Sequence, residues 1–220
     1  MKSESLVSAV LFDFGGVITA SPFEAFARYE AEVGVPTDSI RKINSTNPNS
    51  NAWAKMERSE VTLNEFCDLF EKEAQAFGLE LSGERVLGCL SGDVRPQMVR
   101  ALEILKERVT IGCITNNMKS GHGSGMSRTA DQAAIIADIM KMFEVVVESA
   151  KVGVRKPDPR IYEMACNELK VDPSDCAYLD DLGINCKPAA ALGMTAIKVV
   201  SPEQALEDLE NVVGLSLIHI

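Results

Sequence analysis

The chain has 220 residues, 46% of them hydrophobic and 25% charged, with 22 Lys and Arg against 32 Asp and Glu and a formal net charge of −10. This is ordinary globular composition at the length of one domain with room for a smaller insert. It excludes extended disorder, collagen and a disulfide-stapled miniprotein. The acidity disfavours nucleic acid and anionic membranes as partners, and a small anionic substrate then needs a metal ion or local cations to hold it.

In chain order, the N-terminal MKSESLVSAVLFDFGG has no signal-length apolar stretch before Asp13 interrupts it, and no later run reaches transmembrane length. Cys67, Cys89, Cys113, Cys166, Cys176 and Cys186 form no C-x-x-C pair, and most sit in apolar runs, as buried small hydrophobes in a reducing compartment do. The expectation is a soluble cytoplasmic protein. Ala9 to Phe14 (AVLFDF) is the first of five short apolar runs. The others are Val109 to Ile114, Val145 to Val147, Cys176 to Leu179 and Thr195 to Val200. Continuous runs of this length suit parallel strands covered on both faces. From about Ser21 to Leu90 the pattern is helical. Phe23 to Val33 is amphipathic, and Thr62-Leu63-Asn64-Glu65 is a capping box that opens a helix reaching about Phe77. Helical segments Pro96 to Arg108, Pro159 to Leu169, Ile184 to Leu192 and Glu203 to Leu209 separate or follow the later strands. The alternation predicts an α/β fold with a Rossmann-like parallel sheet, residues 1–18 and 92–220, and an inserted helical domain over 19–91. Lys119 to Arg128 is a Gly/Ser-rich loop, and His122 within it makes no metal site alone. The apolar end, Leu215 to Ile220, is set aside from the functional reading.

Four strand-end segments carry chemistry. Asp13, followed by Gly15 and Gly16, ends the first strand. A buried carboxylate there needs a cation or strong donors, although an Asp alone in this place caps a turn as readily. Thr115 and Asn116 end the second strand, and alone they read as turn formers. Arg155 and Lys156 lie in a Pro-locked loop where solvated charge is the ordinary reading. Asp180 and Asp181 are adjacent carboxylates at a buried strand end. Their mutual repulsion disfavours joint ionisation unless a divalent ion is present, which makes them the strongest single signal. All four segments fall at C-terminal strand ends, where open α/β sheets hold ligands. Asp13, Asp180 and Asp181 supply hard oxygens suited to Mg²⁺, while Lys156 and the Thr115 hydroxyl can hold an anion.

In order and spacing, DFGGV, ITNN, VRKPDP and LDDLGIN resemble the four motifs of the haloacid dehalogenase-like hydrolases, in the branch with a helical cap after the first strand. The stretch LDDLGINCKPAAALGM is especially similar to the N-terminal phosphatase domain of soluble epoxide hydrolases and to phosphatase-like domains fused to some acyl-CoA dehydrogenases. The resemblance implies a Mg²⁺-dependent hydrolase of a small phosphorylated metabolite, working as a monomer or homodimer. Asp13 would be the nucleophile, forming an aspartyl-phosphate and binding Mg²⁺ with the Gly15 carbonyl. Asp181 would be the main second metal ligand, with Asp180 assisting or orienting it. Thr115, Asn116 and Lys156 would bind the phosphoryl group, and Asn185 would steady the acidic loop.

One position departs from the pattern. Phosphatases of the family carry a second Asp two residues after the nucleophile, as general acid and base, and Gly15 stands there. Three explanations stay open: a substrate that needs no acid, an acid or water-positioning group from the cap, or a domain that binds a phosphate ligand or protein without turnover. Glu57 and Glu60 are conceivable donors but read as solvated helix-end charges. A dehalogenase, which also lacks that Asp, ranks third because it needs no metal and the Asp180-Asp181 pair argues for one. Trp53 either lines the substrate entrance or packs inside the insert. The methionines follow helical faces and read as core.

Overall fold

A computed structural model describes residues 7–117 and 130–217. The Gly/Ser-rich loop with His122, and Ile218 to Ile220, lie outside the described residues. In chain order the elements are β1 (Ala9–Phe12), α1 (Phe23–Val33), α2 (Ser39–Ser45), α3 (Ala52–Glu57), α4 (Leu63–Ala76), α5 (Gly83–Gly88), α6 (Pro96–Leu105) and β2 (Thr110–Thr115). There follow α7 (Ala130–Met140), β3 (Val145–Glu148), α8 (Ser149–Val152), α9 (Pro159–Leu169), β4 (Cys176–Asp180), α10 (Gly183–Ala191), β5 (Thr195–Lys198) and α11 (Pro202–Val213).

The five expected strands form one sheet in the order β3-β2-β1-β4-β5, and every pairing is parallel. Strand alternation divides the core. Val10 and Phe12 point to the face covered by α6, α7 and α11, and Ala9 and Leu11 to the face covered by α9 and α10. Leu217 joins the first of these clusters. β1 ends two residues earlier than its apolar run, because the Asp13 carboxylate accepts the Phe14 N–H at 2.7 Å and turns the chain. β2 runs one residue further than its apolar run, so Thr115 is its last residue.

Helices α1–α5 gather around a separate apolar cluster that includes Phe26, Tyr29, Ile40, Phe66, Phe70 and Val86. Thr62 and Glu65 form the expected reciprocal cap on α4. Two segments tie this helical insert to the sheet. They run antiparallel through a Thr19–Val94 bridge, with Ala20 N–H on Asp93 O at 2.8 Å and Arg95 N–H on Ile18 O at 2.9 Å. No helix of the described residues is long and apolar enough to cross a membrane.

Candidate active site

The strand order reverses at β1, which pairs with β2 on one side and β4 on the other. Asp13 therefore stands beside the Asp180-Asp181 pair on one flank and Thr115 on the other, at the C-terminal edge where such sheets open a crevice. The loop between α8 and α9 brings Lys156 into the same place.

Lys156 is 1% exposed, and its Nζ lies 2.7 Å from Asp13 Oδ1 and 2.8 Å from Asp180 Oδ2. Burial alone would pull the ammonium pKa down, but Asp13 and Asp180 together carry it well above the ordinary lysine value. The group is a fixed cation. Asp180 is fully buried and accepts from Lys156, the Tyr178 hydroxyl, the Leu182 N–H at 2.8 Å and the Asn185 carboxamide at 3.1 Å. Asp181 accepts from the Ser21 hydroxyl at 3.0 Å. One oxygen from each of Asp13, Asp180 and Asp181 lies within 4.8 Å of the others. Three carboxylates around one ammonium leave an excess of negative charge. Burial, opposed by Lys156 and reinforced by Asp180 and Asp181, holds the Asp13 carboxyl well above the usual carboxylate range. An all-oxygen, electron-rich cluster of this kind fits a hard divalent cation.

Gly16 is a site residue that the sequence reading missed. Its φ is +79°, and a Cβ there would stand 2.2 Å from Asp181 Oδ2. Only glycine lets the β1 turn pass under the Asp181 carboxylate. The adjacent Gly-Gly pair is the signal, but the contact that demands it is tertiary. Gly15 is different: its φ is not left-handed, and a Cβ there meets nothing within 4 Å.

The acidic cluster opens into a cavity of about 620 Å³ between sheet and insert. Asp13, Thr115, Lys156 and Asp181 line it at the sheet; Phe23, Phe26, Trp53, Met56 and Leu90 line it from the insert and its return segment. Trp53 lines this cavity and packs edge-on to Phe26 and Phe66 inside the insert. Asn116 also lines the cavity, yet its carboxamide is engaged with the Lys156 backbone, accepting from the N–H at 2.8 Å and donating to the carbonyl at 3.1 Å.

Glu57 corrects the sequence reading. It is no solvated helix-end charge: it is 7% exposed and lines the cavity. Its Oε1 accepts from Trp53 Nε1 at 3.0 Å. Its Oε2 lies 2.5 Å from Arg155 Nε and accepts from Asn116 Nδ2 at 3.3 Å. Glu60 does fit that reading, with its side chain 48% exposed and paired to Arg58.

The model of the haloacid dehalogenase-like hydrolases matches residues 7–193, and the chain belongs to that family of enzymes. It is 31% identical over 220 residues to mouse acyl-CoA dehydrogenase family member 10, covering 95% of this chain and 19% of that protein. It is 28% identical over 204 residues to phosphatase MT3486 of Mycobacterium tuberculosis, covering 88% of this chain and 87% of that one. The fold matches an enzyme of the family from Bacteroides thetaiotaomicron, solved with magnesium and inorganic phosphate, at a TM-score of 0.57 and 19% identity, covering 87% of this chain and 93% of that one. The chain spans only a fifth to two fifths of the first curated relatives, the latter share being for pig bifunctional epoxide hydrolase 2.

Proposed function

We propose that this hydrolase is a phosphatase that cleaves a phosphate monoester through an aspartyl-phosphate on Asp13, with the helical insert acting as a cap. The observation that carries the reading is the Asp13–Lys156–Asp180–Asp181 cluster opening on a largely apolar cavity. Asp13, Asp181 and the Gly15 carbonyl would hold Mg²⁺, and Asp180, already accepting from four donors, orients the group. The ion supplies neutralisation of phosphate charge in an otherwise acidic site.

The chain's own residues do the rest. Lys156 fixes the Asp13 carboxylate by its 2.7 Å ion pair and presents positive charge to the phosphoryl oxygens. Thr115, at the end of the neighbouring strand, supplies a hydroxyl to the same oxygens. Asn116 positions Lys156 by clamping its backbone. The aromatic and aliphatic wall removes water from the phosphoryl group and takes the alcohol moiety. Phe23, Phe26, Trp53 and Met56 on the wall of a cavity of about 620 Å³ suit an ester with an apolar body, with Arg41, Asn44, Ser45 and Asn49 on the same wall to meet its polar groups.

The test is a series of alkyl phosphates of rising chain length beside p-nitrophenyl phosphate, assayed with Mg²⁺ and with EDTA. The expected result is Mg²⁺-dependent turnover that improves with chain length, and its reduction by at least ~10⁴-fold in Asp13→Asn. Turnover indifferent to Asp13 would sink the mechanism, and a preference for sugar phosphates would sink the substrate class.

A further inference from the structure

Gly15 leaves the reaction without a proton donor beside the nucleophile, and a donor must then come from another wall of the same cavity. Glu57 is a carboxyl on that wall with the required surroundings. Its backbone is held from the sheet side, where the Ser149 hydroxyl donates to the Glu57 carbonyl at 2.8 Å, with Ser59, two residues on, donating to the Ala150 carbonyl at 3.1 Å. Its side chain touches Asn116, the residue that clamps Lys156, and Lys156 in turn holds Asp13. Glu57 thus belongs to the insert by sequence, lines the cavity on which the Asp13 cluster opens, and reaches that cluster through Asn116.

The hydrogen-bond inventory of the carboxyl leaves a place for a proton. A protonated carboxyl has three acceptor sites and one O–H donor. Arg155 and Asn116 both approach Oε2, and Trp53 donates to Oε1. A proton on Oε1 therefore displaces no donor, and that O–H is free to reach into the cavity. The charged groups acting on Glu57 are Arg155 and Lys156 from the sheet side and Arg58 from its own turn. Burial outweighs the cations and raises the carboxyl above the ordinary glutamate value.

We propose that Glu57 is the general acid and base of this enzyme, reaching the leaving oxygen from the cap in place of the residue that Gly15 lacks. In the first half-reaction an Asp13 oxygen attacks phosphorus, the bond to the ester oxygen breaks, and that oxygen takes the Oε1 proton of Glu57 as the alcohol departs. In the second, the Glu57 carboxylate takes a proton from the water that attacks phosphorus. The bond to Asp13 breaks, inorganic phosphate leaves, and both carboxyls return to their starting forms. The inference rests on the phosphatase reading above.

The experiment compares Glu57→Gln with the parent on octyl phosphate and p-nitrophenyl phosphate. An alkoxide needs the proton and a nitrophenolate does not. The expected loss is ~10²-fold or more in kcat/KM on the octyl ester and under about threefold in kcat/KM on the aryl ester, since kcat/KM covers only the steps up to departure of the alcohol; loss of the base lowers kcat on both. Equal losses of kcat/KM on both would make Glu57 a positioning group for Arg155 and Trp53 and overturn the assignment, as would full octyl activity. Gly15→Asp places a carboxyl where the backbone accepts one, so the double variant should regain octyl turnover. A double variant active on the aryl ester but not restored on the octyl ester also overturns it. A second readout needs no turnover. Trp53 is the sole tryptophan and donates to Glu57, so its emission should follow a pH titration with a midpoint above 4.5 that is absent in Glu57→Gln. A featureless titration of the parent counts against the proton donor. Failure of the parent to hydrolyse either ester would instead strike the phosphatase reading itself.

Discussion

Lys156 shows how one side chain holds a site together. Among the described residues its ammonium is the one cation in contact with both Asp13 and Asp180, and all three are buried. Breaking such an arrangement by removing one partner costs about 3–5 kcal/mol, since the remaining charges lose their compensation. Lys156→Met should lower the thermal midpoint of the metal-free protein by roughly 10 °C, as scanning calorimetry in EDTA would measure. The loss should grow with pH. Asp13 already titrates above its unfolded value, chiefly because it is buried, and without Lys156 it titrates higher still. The native state then binds more protons than the unfolded chain between about pH 4 and the folded pKa, and stability falls as pH rises through that window. A deficit that shrinks at higher pH would contradict this account. Gly16 gives a complementary case. Gly16→Ala forces a Cβ into the Asp181 carboxylate at a positive φ, so Mg²⁺ affinity by titration calorimetry should fall at least tenfold. Gly15→Ala, with open space around it, should leave that affinity within about twofold.

Among the elements, the helices are the most locally encoded. Pro opens α6, α9 and α11, where the missing N–H is unneeded, and Thr62 with Glu65 closes the first turn of α4. That cap is exposed and makes its bonds only to itself. Thr62→Ala should therefore cost about 1 kcal/mol and lower the thermal midpoint by roughly 3 °C, with kcat unchanged. A larger loss, or a change in kcat, would mean that α4 acts on the site beyond packing Phe66 and Phe70 into the insert. The strands are encoded by uninterrupted apolar runs, and their ends deviate by one or two residues for a chemical reason. β1 stops at Phe12 because the Asp13 side chain competes for the next backbone N–H.

At the scale of the molecule, the site lies between the sheet core and the insert core, which the Thr19–Val94 ribbon and contacts such as Glu57–Arg155 and Ser59–Ala150 join. Gly92 stands against the facing segment: a Cβ there would be 2.3 Å from the Ala20 carbonyl oxygen. Gly92→Ala must push the segments apart. It should lower the thermal midpoint by about 5 °C and, if the insert is the cap proposed above, change kcat and KM together, as a cap position that sets both binding and water exclusion would. Steady-state kinetics on p-nitrophenyl phosphate would show it, and unchanged constants would mean that the ribbon does not set the position of the insert over the site.

The sequence by itself determined the sheet, the place of the insert and the strand-end positions of Asp13, Thr115, Asp180 and Asp181. Each of these follows from local pattern: an apolar run ends, a small or acidic residue appears, and parallel topology sends every such end to one edge. Tertiary structure decided what those residues meet. Glu57 opens a run of charges, Glu57-Arg58-Ser59-Glu60, that reads as solvent-facing, and it is buried where α8, the Arg155 loop, Asn116 and Trp53 close around it. Ser21 and Gly16 serve Asp181 from another part of the chain. Tyr178 holds Asp180 from within an apolar strand, where its hydroxyl gives no pattern. Periodicity and capping are written within a few residues of sequence, whereas the desolvation and pairing of a carboxylate depend on neighbours brought together by the whole fold.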